Sequence, residues 1–411
     1  MDRQARRPLS RAFIWLLVAG VLISIVNFGI RSALGHFQLP MSLTIDISAT
    51  TFGFVLAVQN LIWGLAQPVA GRLADRYGAA WVMAAGGAIY ALGMLGLGLS
   101  SGPVWFMLSA GILCGLGIAF ASFNLVISVY GRVLPPEHRG WAMGLGTAAG
   151  SLGQFFFNPI VQPLIGGLGW QTTAFILAVA ALPMVLLAFA FPRSGQAQAS
   201  EVASDRRPLG EILREAFANR QYLLLIAGFF VCGFQLGFIT VHMPRFLSEE
   251  LAMPDYLSAW FLALVGAFNI IGGYTAGTLT GRVHRPRLLG VIYLGRSLMI
   301  TAFLLLPASQ SSVLLLGAGL GLLWLSTVPP TNSLVSHIFG TANLAMLFGF
   351  VFLSHQIGSF IAVWMGGLLF DLSGSYRILW WTIVALGVYA WLVHLPIHDK
   401  GRRLWSLQPA A

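Results

Sequence analysis

Charged side chains are scarce in this sequence. Asp, Glu, Lys and Arg make up 9% of its 411 residues, against about 25% in soluble proteins. Hydrophobic residues make up 57%, and the mean hydropathy is +0.81. These values exclude a soluble two-domain protein and indicate an all-α membrane protein that crosses the bilayer many times.

Cysteines and catalytic motifs are scarce as well. Cys114 and Cys232 are the only cysteines, and both fall in apolar stretches, so we predict no disulfide framework. The sequence has no metal-ligand cluster, no P-loop and no nucleophile elbow. We therefore expect no enzyme activity, no ATP hydrolysis, no cofactor and no bound metal ion.

Long apolar runs occupy most of the chain. At about 20 apolar residues per crossing, they predict twelve transmembrane helices. The predicted spans cover residues 12–37, 50–71, 79–100, 103–130, 141–164, 170–191, 221–244, 257–280, 288–307, 311–336, 344–369 and 376–396. The first run is too long for the apolar region of a signal peptide, so we predict no cleaved leader.

The net charge of +10 follows the predicted topology. Of the 23 Lys and Arg residues, Arg245 and Arg377 fall in predicted outer loops or at their edges, Arg31 and Arg296 fall well within spans, and the others lie on one side. This is the positive-inside bias, which predicts a multi-pass inner-membrane protein with both termini in the cytoplasm. Because the predicted topology accounts for the positions of the basic residues, we predict no nucleic-acid partner.

One long polar segment divides the spans six and six. We predict a first six-helix bundle at residues 1–192, a cytoplasmic linker at 193–220, a second bundle at 221–396 and a cytoplasmic tail at 397–411. Residues 208–217 of the linker have the pattern of a short amphipathic helix on the inner surface.

The two halves share weak internal similarity at an offset near 205. The corresponding pairs are Gly71–Arg76 with Gly277–Arg282, Gly153 with Gly358, and His36 with His242. This pattern predicts two parallel, pseudo-symmetric six-helix repeats around a site near the membrane midplane.

Acidic residues are absent from the predicted membrane interiors. All 13 Asp and Glu residues fall in loops or at span ends, whereas Arg31 and Arg296 fall within spans. An arginine in hydrocarbon costs at least ~2.5–3.5 kcal/mol, so it is a functional-site hypothesis by default. Ser24, Asn27 and Arg31 are spaced i, i+3, i+7 and share one helix face. A cationic interior favours an anionic substrate over a cation or coupled Na⁺.

Polar residues on other spans are candidates to complete a binding site with Asn27 and Arg31. They are Asn124 on the fourth span, Gln154 and Asn158 on the fifth, Gln235 and His242 on the seventh, and His355 on the eleventh. The two histidines are also candidates to carry a coupled proton, because imidazole titrates near neutral pH. Each residue has a structural alternative: an arginine can snorkel to the interface, and a polar side chain can simply bond a neighbouring helix.

The loop after the second span carries a motif. Residues Gly71–Gly78, GRLADRYG, resemble the loop 2–3 signature of the major facilitator superfamily, although Ala-Ala at 79–80 replaces the usual second basic pair. The resemblance extends over the whole chain and implies the major facilitator fold. In that family the motif's acid and arginine latch the two halves. We therefore predict a latch of Asp75, Arg76 and Arg139, in which Asp75 accepts hydrogen bonds from Arg139 or from the N-terminus of the eleventh span. The alternative is an ordinary topology-setting loop charge.

The first span narrows the resemblance. Residues Phe28–Phe37 are similar to the first span of monocarboxylate-transporter-like and oxalate/formate-antiporter-like carriers, which have a basic residue where Arg31 stands. The eighth span departs from those carriers, because it lacks their carboxylate-clamping arginine. The fifth span lacks the Gly-Pro pair of drug/proton antiporters.

These features together predict a monomeric secondary carrier rather than an enzyme. It is expected to move a small organic anion, a monocarboxylate or similar carboxylate, by alternating access, with proton symport or anion exchange. Its partners are then the anion, a proton or counter-anion, and the lipid bilayer. Proton-coupled efflux of drugs or amphipathic metabolites is the alternative, and a non-transporting sensor on the same fold is a third possibility.

Overall fold

The computed structural model describes residues 10–194, 208–340 and 344–398. Twelve long helical segments follow one another there, which we call the first to twelfth spans and which confirm the all-α prediction. Their bounds are Arg11–Thr44, Ala49–Tyr77, Ala79–Gly98, Pro103–Val133, Pro136–Leu168, Trp170–Ala190, Arg220–Glu250, Tyr256–Thr280, Arg285–Leu305, Gln310–Phe339, Leu344–Ser373 and Arg377–His394. Each predicted span overlaps one of them.

Eleven of these segments are long and apolar enough to cross a membrane, and the fifth span is the exception. It is a helix of 33 residues, Pro136–Leu168, and it stays helical through Pro159 and Pro163. Its many glycines and the amides of Gln154 and Asn158 lower its hydropathy below that of the other spans. The fifth span is therefore the most polar of the long helices in the described chain.

Several span ends are capped by local side chains. Ser10 accepts a hydrogen bond from the Phe13 backbone at the start of the first span, and Asn219 accepts from two backbone N–H groups at the start of the seventh. Gly78, at φ +96°, joins the second and third spans with a single residue. The Ser10 and Asn219 side chains satisfy backbone donors that a helix start leaves without a partner.

The internal repeat appears in the structure as two equivalent helix–helix contacts, one in each half of the chain. The first span packs on the fifth, and a Cβ atom at Gly153 would overlap the carbonyl oxygen of Ile25. The seventh span packs on the eleventh, and a Cβ atom at Gly358 would overlap the carbonyl oxygen of Phe230. Both residues of the second contact follow those of the first by 205 positions, which matches the offset predicted from the sequence.

By packing, the described residues form two units. The first comprises described residues of Met1–Ile47 and Ile62–Ala197, and the second those of Ser48–Leu61 and Gln198–Ala411. The predicted domain boundaries stay a prediction, because residues 195–207 of the linker and 399–411 of the tail lie outside the described residues. The helix predicted at 208–217 is present at Leu209–Ala218, with Ile212 and Ala216 buried.

Within the second unit, the start of the second span lies along the eleventh span. The Asp371 carboxylate accepts hydrogen bonds from the Ala49 and Thr50 backbone N–H groups, at 3.1 and 2.7 Å. About three turns further along, the Gln356 amide donates to the Asn60 carbonyl at 2.9 Å. The carboxylate sits at the positive end of a helix dipole, which stabilises it there.

We predict that Gly153→Ala lowers the thermal stability of the protein. The added methyl group meets the Ile25 backbone, which cannot move aside as a flexible side chain can, so overpacking should cost about 1–3 kcal/mol. The matched control is Gly273→Ala, because nothing lies within 4 Å of a Cβ atom there. Melting of the purified proteins by tryptophan fluorescence checks this; equal midpoints for both variants would contradict it.

Candidate functional site

Arg31 lies against two aromatic rings in the first unit. Its guanidinium carbon is 4.8 Å from the Trp63 ring centre and 5.4 Å from that of Phe28. Trp63 is only 4% exposed, and its indole N–H donates to Gln67. A cation over the face of an indole is attracted by the ring quadrupole. This contact with a buried ring indicates that the side chain is held by protein rather than extended to the lipid interface.

Asn27, on the same helix face as Arg31, connects three spans. Its amide lies 3.5 Å from the carbonyl oxygen of Ile118, and its own carbonyl accepts a hydrogen bond from the buried Tyr90 hydroxyl at 3.3 Å. Ile118 lies in the helix Cys114–Phe120, just before the fourth span is interrupted at Ala121–Ser122. Asn27 thus lies beside backbone carbonyls that the interruption leaves without helical donors.

Asn158 on the fifth span anchors a buried network with the first span. Its amide nitrogen donates to the Gln154 carbonyl at 2.8 Å and to the Ser32 hydroxyl at 3.1 Å. Its amide oxygen lies 3.0 Å from Nε2 of His36. The structure therefore brings Asn27, Arg31 and Asn158 into one pair of packed helices, with the buried Gln154 one turn before Asn158.

Asn124 and Ser24 occupy less connected positions. Asn124 is half-buried in the short helix Phe123–Val133 that follows the interruption of the fourth span. Ser24 is 1% exposed, and its hydroxyl has no hydrogen-bond partner among the described residues. A buried polar group without a partner costs about 1–3 kcal/mol.

Arg296 has a different environment, in the second unit. Its guanidinium donates to the carbonyl oxygens of Leu323 and Trp324, where the helix Gln310–Leu323 of the tenth span ends. It also donates to the Gln235 amide oxygen at 3.3 Å and is 1% exposed. A cation bonded to the last carbonyls of a helix is the favourable arrangement for the helix dipole. These contacts give Arg296 a structural role at the end of this helix.

Side chains of neighbouring spans bond the backbone groups that the interruption of the tenth span leaves without helical partners. Residues 324–327 are non-helical, and a new helix, Val328–Phe339, begins after them. Arg296 of the ninth span serves the freed carbonyls, and Asn269 of the eighth span accepts from the Leu325 N–H at 2.9 Å. Non-helical backbone at membrane depth requires such partners. The break is therefore a built feature of the fold, held by side chains from neighbouring spans.

The predicted site residues of the second unit are Gln235, His242 and His355. Gln235 bonds Arg296 and the carbonyl of Ile383. His242 bonds the Val363 carbonyl at 2.8 Å and lies 3.2 Å from the Tyr376 hydroxyl. His355 bonds the side chain of its neighbour Gln356 at 3.0 Å and stacks on Phe352. Two of the three are connected, because the Cys232 thiol interacts with His355 and also accepts from Arg296, which bonds Gln235. The part of all three in binding or coupling stays a prediction.

Of the predicted latch residues, Asp75 and Arg76 lie at the C-terminal end of the second span and Arg139 lies near the start of the fifth. Asp75 forms an ion pair with Arg132 at the end of the fourth span, and both side chains are about half exposed. Arg139 instead donates to the Leu134 carbonyl at 2.7 Å, and Arg76 lies over Tyr77. The predicted partner of Asp75 was Arg139 or the start of the eleventh span, whereas the structure pairs Asp75 with Arg132. The role of these residues as a latch stays a prediction.

Three features of the site were missed from the sequence. They are the contacts of Trp63 and Tyr90 with the first span, the His36–Asn158 hydrogen bond, and the break in the tenth span. One signal was present for the break, since Pro329 and Pro330 follow it directly and proline favours the first turn of a helix.

The described residues form twelve long helices with an internal repeat, and ionisable and amide side chains lie inside these spans. The chain belongs to the Major Facilitator Superfamily, whose family model matches residues 12–363. The protein is thus a transporter of small molecules across a membrane, and family and relatives alike set it apart from enzymes.

Curated relatives match over nearly the full chain. An uncharacterised MFS-type transporter, YcxA of Bacillus subtilis, is 26% identical and the alignment covers 96% of this chain and 97% of that protein. Monocarboxylate transporter 13 of Rattus norvegicus is 22% identical, with 88% and 83% covered.

Solved structures share the fold. The crystal structure of the nucleoside transporter NupG superposes with a TM-score of 0.77 at 15% identity, covering 93% of this chain and 99% of that one. The D-xylose–proton symporter superposes with a TM-score of 0.75 at 17% identity, covering 95% and 99%.

We predict that Arg296→Ala strongly destabilises the protein. The substitution orphans the carbonyls of Leu323 and Trp324, each at a cost of about 1–3 kcal/mol. Arg296→Lys should restore part of the loss, because lysine donates hydrogen bonds but lacks the planar fork. The control is Arg287→Ala, an exposed arginine on the same helix. Thermal melting in detergent is the measurement; an Arg296→Ala midpoint equal to the control would contradict the structural role.

Proposed function

We propose that the protein is a secondary carrier of a small organic anion, a monocarboxylate or similar carboxylate, by alternating access. The observation that carries the proposal is the placement of the Arg31 guanidinium on the buried ring of Trp63, inside the first span. A guanidinium presents paired N–H donors that match a carboxylate in geometry and charge. A permanent cation at this depth favours an anion over a cation or neutral drug.

The neighbouring groups suit recognition of a small polar anion. Asn27 and Ser24 are buried on the same helix face as Arg31, and the Ser24 hydroxyl has no hydrogen-bond partner among the described residues. Gln154 and Asn158 on the packed fifth span add amide groups, and Asn124 follows on the fourth. A bound carboxylate or hydroxy acid supplies the oxygen atoms that such donors need.

The similarity to monocarboxylate transporter 13 supports the same class of substrate. Coupling is to a proton or to an exchanged anion, since the chain places its acids in loops and at span ends, where they do not form the carboxylate-rich oxygen cage that a sodium site uses. We propose an inner-membrane location with both termini in the cytoplasm, because the basic residues outside the spans lie overwhelmingly on one side. We propose that the carrier works as a monomer.

We predict that Arg31→Ala abolishes carboxylate uptake into proteoliposomes. Loss of a charge-assisted bidentate contact should lower uptake at least tenfold, equivalent to about 1.4 kcal/mol or more. Arg31→Lys should keep partial activity, because it keeps the charge and loses the fork. Radiolabelled acetate, L-lactate, pyruvate, benzoate and oxalate form the substrate panel.

Two controls separate binding from folding. Melting of the purified Arg31→Ala protein should stay near the wild type, and the carboxylate that is transported should raise the wild-type melting midpoint but not that of the variant. Full uptake by Arg31→Ala would contradict the proposal. So would a wild type that moves none of the panel but protects cells against amphipathic drugs, which would favour the efflux alternative.

A further inference from the structure

The eleventh span supplies the acceptor for two backbone donors at the start of the second span. There the Ser48 hydroxyl accepts from the Thr51 N–H at 3.1 Å, as a helix cap does. The N–H groups of Ala49 and Thr50 donate to the Asp371 carboxylate, at 3.1 and 2.7 Å. A helix start leaves such donors without partners inside the helix, and its dipole attracts a negative charge. The first turn of the second span is therefore completed by a charged group of another span.

The two helices also approach each other closely beside this charged contact. A Cβ atom at Gly53 would overlap the Val363 carbonyl oxygen. One at Gly367 would overlap the Ala49 carbonyl oxygen. Asp371 lies at the edge of the contact, where it is exposed to water. Water can therefore replace its hydrogen bonds, and the contact can separate without leaving a charge buried and unpaired.

The second span is divided between the two units of the chain. Residues 48–61 pack within the second unit, whereas the residues from 62 onwards pack within the first. Alternating access requires the halves of a carrier to move, and one continuous helix cannot follow both units when they do. One of its two contacts must then be released. The contact at 48–61 suits release, because its charged hydrogen bonds lie at an edge that water reaches.

We propose that Asp371 is a releasable clasp, which holds the start of the second span on the eleventh span in one state of the transport cycle and frees it in another. This rests on the alternating access of the proposed function. In the proposed topology both helix ends face the outer side of the membrane, so release separates the two spans there. Water then hydrates the carboxylate and the N–H groups of Ala49 and Thr50, and no covalent bond forms or breaks.

The internal repeat contains a position for comparison. Gly166 of the fifth span precedes Asp371 by 205 residues, and nothing lies within 4 Å of a Cβ atom there. The eighth span, which corresponds to the second, begins after Asp255, and that side chain makes no capping hydrogen bond. Among the described residues, the carboxylate contact thus belongs to one of the two repeats.

The test measures how fast a thiol at the contact reacts. Ala49 is 1% exposed, so a cysteine placed there by Ala49→Cys should react slowly with a water-soluble maleimide while the clasp is closed. Adding Asp371→Asn keeps the size of the side chain but removes its charge. We expect about tenfold faster labelling of the full-length protein in proteoliposomes, because the charge-assisted hydrogen bonds to the second span are lost. The matched control is Asp255→Asn, which should leave the rate unchanged.

Gly367→Ala provides an independent variant in case Asp371→Asn does not fold. Its methyl group meets the Ala49 carbonyl and should also speed labelling, whereas Gly349→Ala on the same helix has open space and should not. Cys114 and Cys232 are buried and report unfolding. They should stay unlabelled in each variant prepared without Ala49→Cys.

Three outcomes overturn the proposal. The first is an Asp371→Asn rate equal to that of Asp255→Asn. The second is faster labelling that is accompanied by labelling of Cys114 or Cys232, since the protein would then be unfolding. The third is a wild-type background in which Ala49→Cys stays unlabelled throughout uptake of L-lactate or pyruvate. Labelling itself needs no substrate, so a wild type that moves no carboxylate contradicts the proposed substrate while the rates still decide for or against the clasp.

Discussion

The rule that every backbone N–H and C=O inside a membrane needs a partner governs the arrangement of polar side chains in this protein. Continuous helices obey it by themselves, so the exceptions are informative. The tenth span is interrupted at residues 324–327, and Arg296 and Asn269 serve the carbonyls and the N–H group that the interruption frees. In the first unit, Asn27 lies beside the end of the helix that precedes the interruption of the fourth span. Polar residues that look like ligands in a sequence are in part the partners of broken helices.

The two arginines within spans, Arg31 and Arg296, carry the same charge but have different partners in the structure. All five N–H groups of a guanidinium are available as donors, and Arg296 directs its donors to carbonyls, to Gln235 and to the Cys232 thiol. Arg31 instead lies on the faces of Trp63 and Phe28. The ring quadrupoles attract the guanidinium and hold it there. The first arrangement closes a helix end, and the second is the one on which the proposed recognition of an anion rests.

The sequence was sufficient for the helices, because hydropathy is summed over many residues and is little affected by local exceptions. The repeat was also predictable: Gly153 and Gly358 make the same close contact at the predicted offset. Single contacts were not predictable. Pairing of Asp75 with Arg132 rather than Arg139 depends on where a helix ends in space. The His36–Asn158 bond joins residues 122 positions apart, and no local pattern marks such a pair. The same limit applies to Trp63. The chain has thirteen tryptophans, and no local pattern marks the one that lies against Arg31.

The polarity of the fifth span has a consequence for how the protein is made. Membrane insertion of a nascent helix depends on its summed apolarity, and Pro136–Leu168 is less apolar than the helices that precede it. Its glycine face and its amides find their partners on the first span, which has left the ribosome about a hundred residues earlier. Retention of the first span near the insertion site until the fifth emerges would let the two helices enter the lipid as a pair. In that case the contact that packs the mature protein would also help its most polar helix into the bilayer.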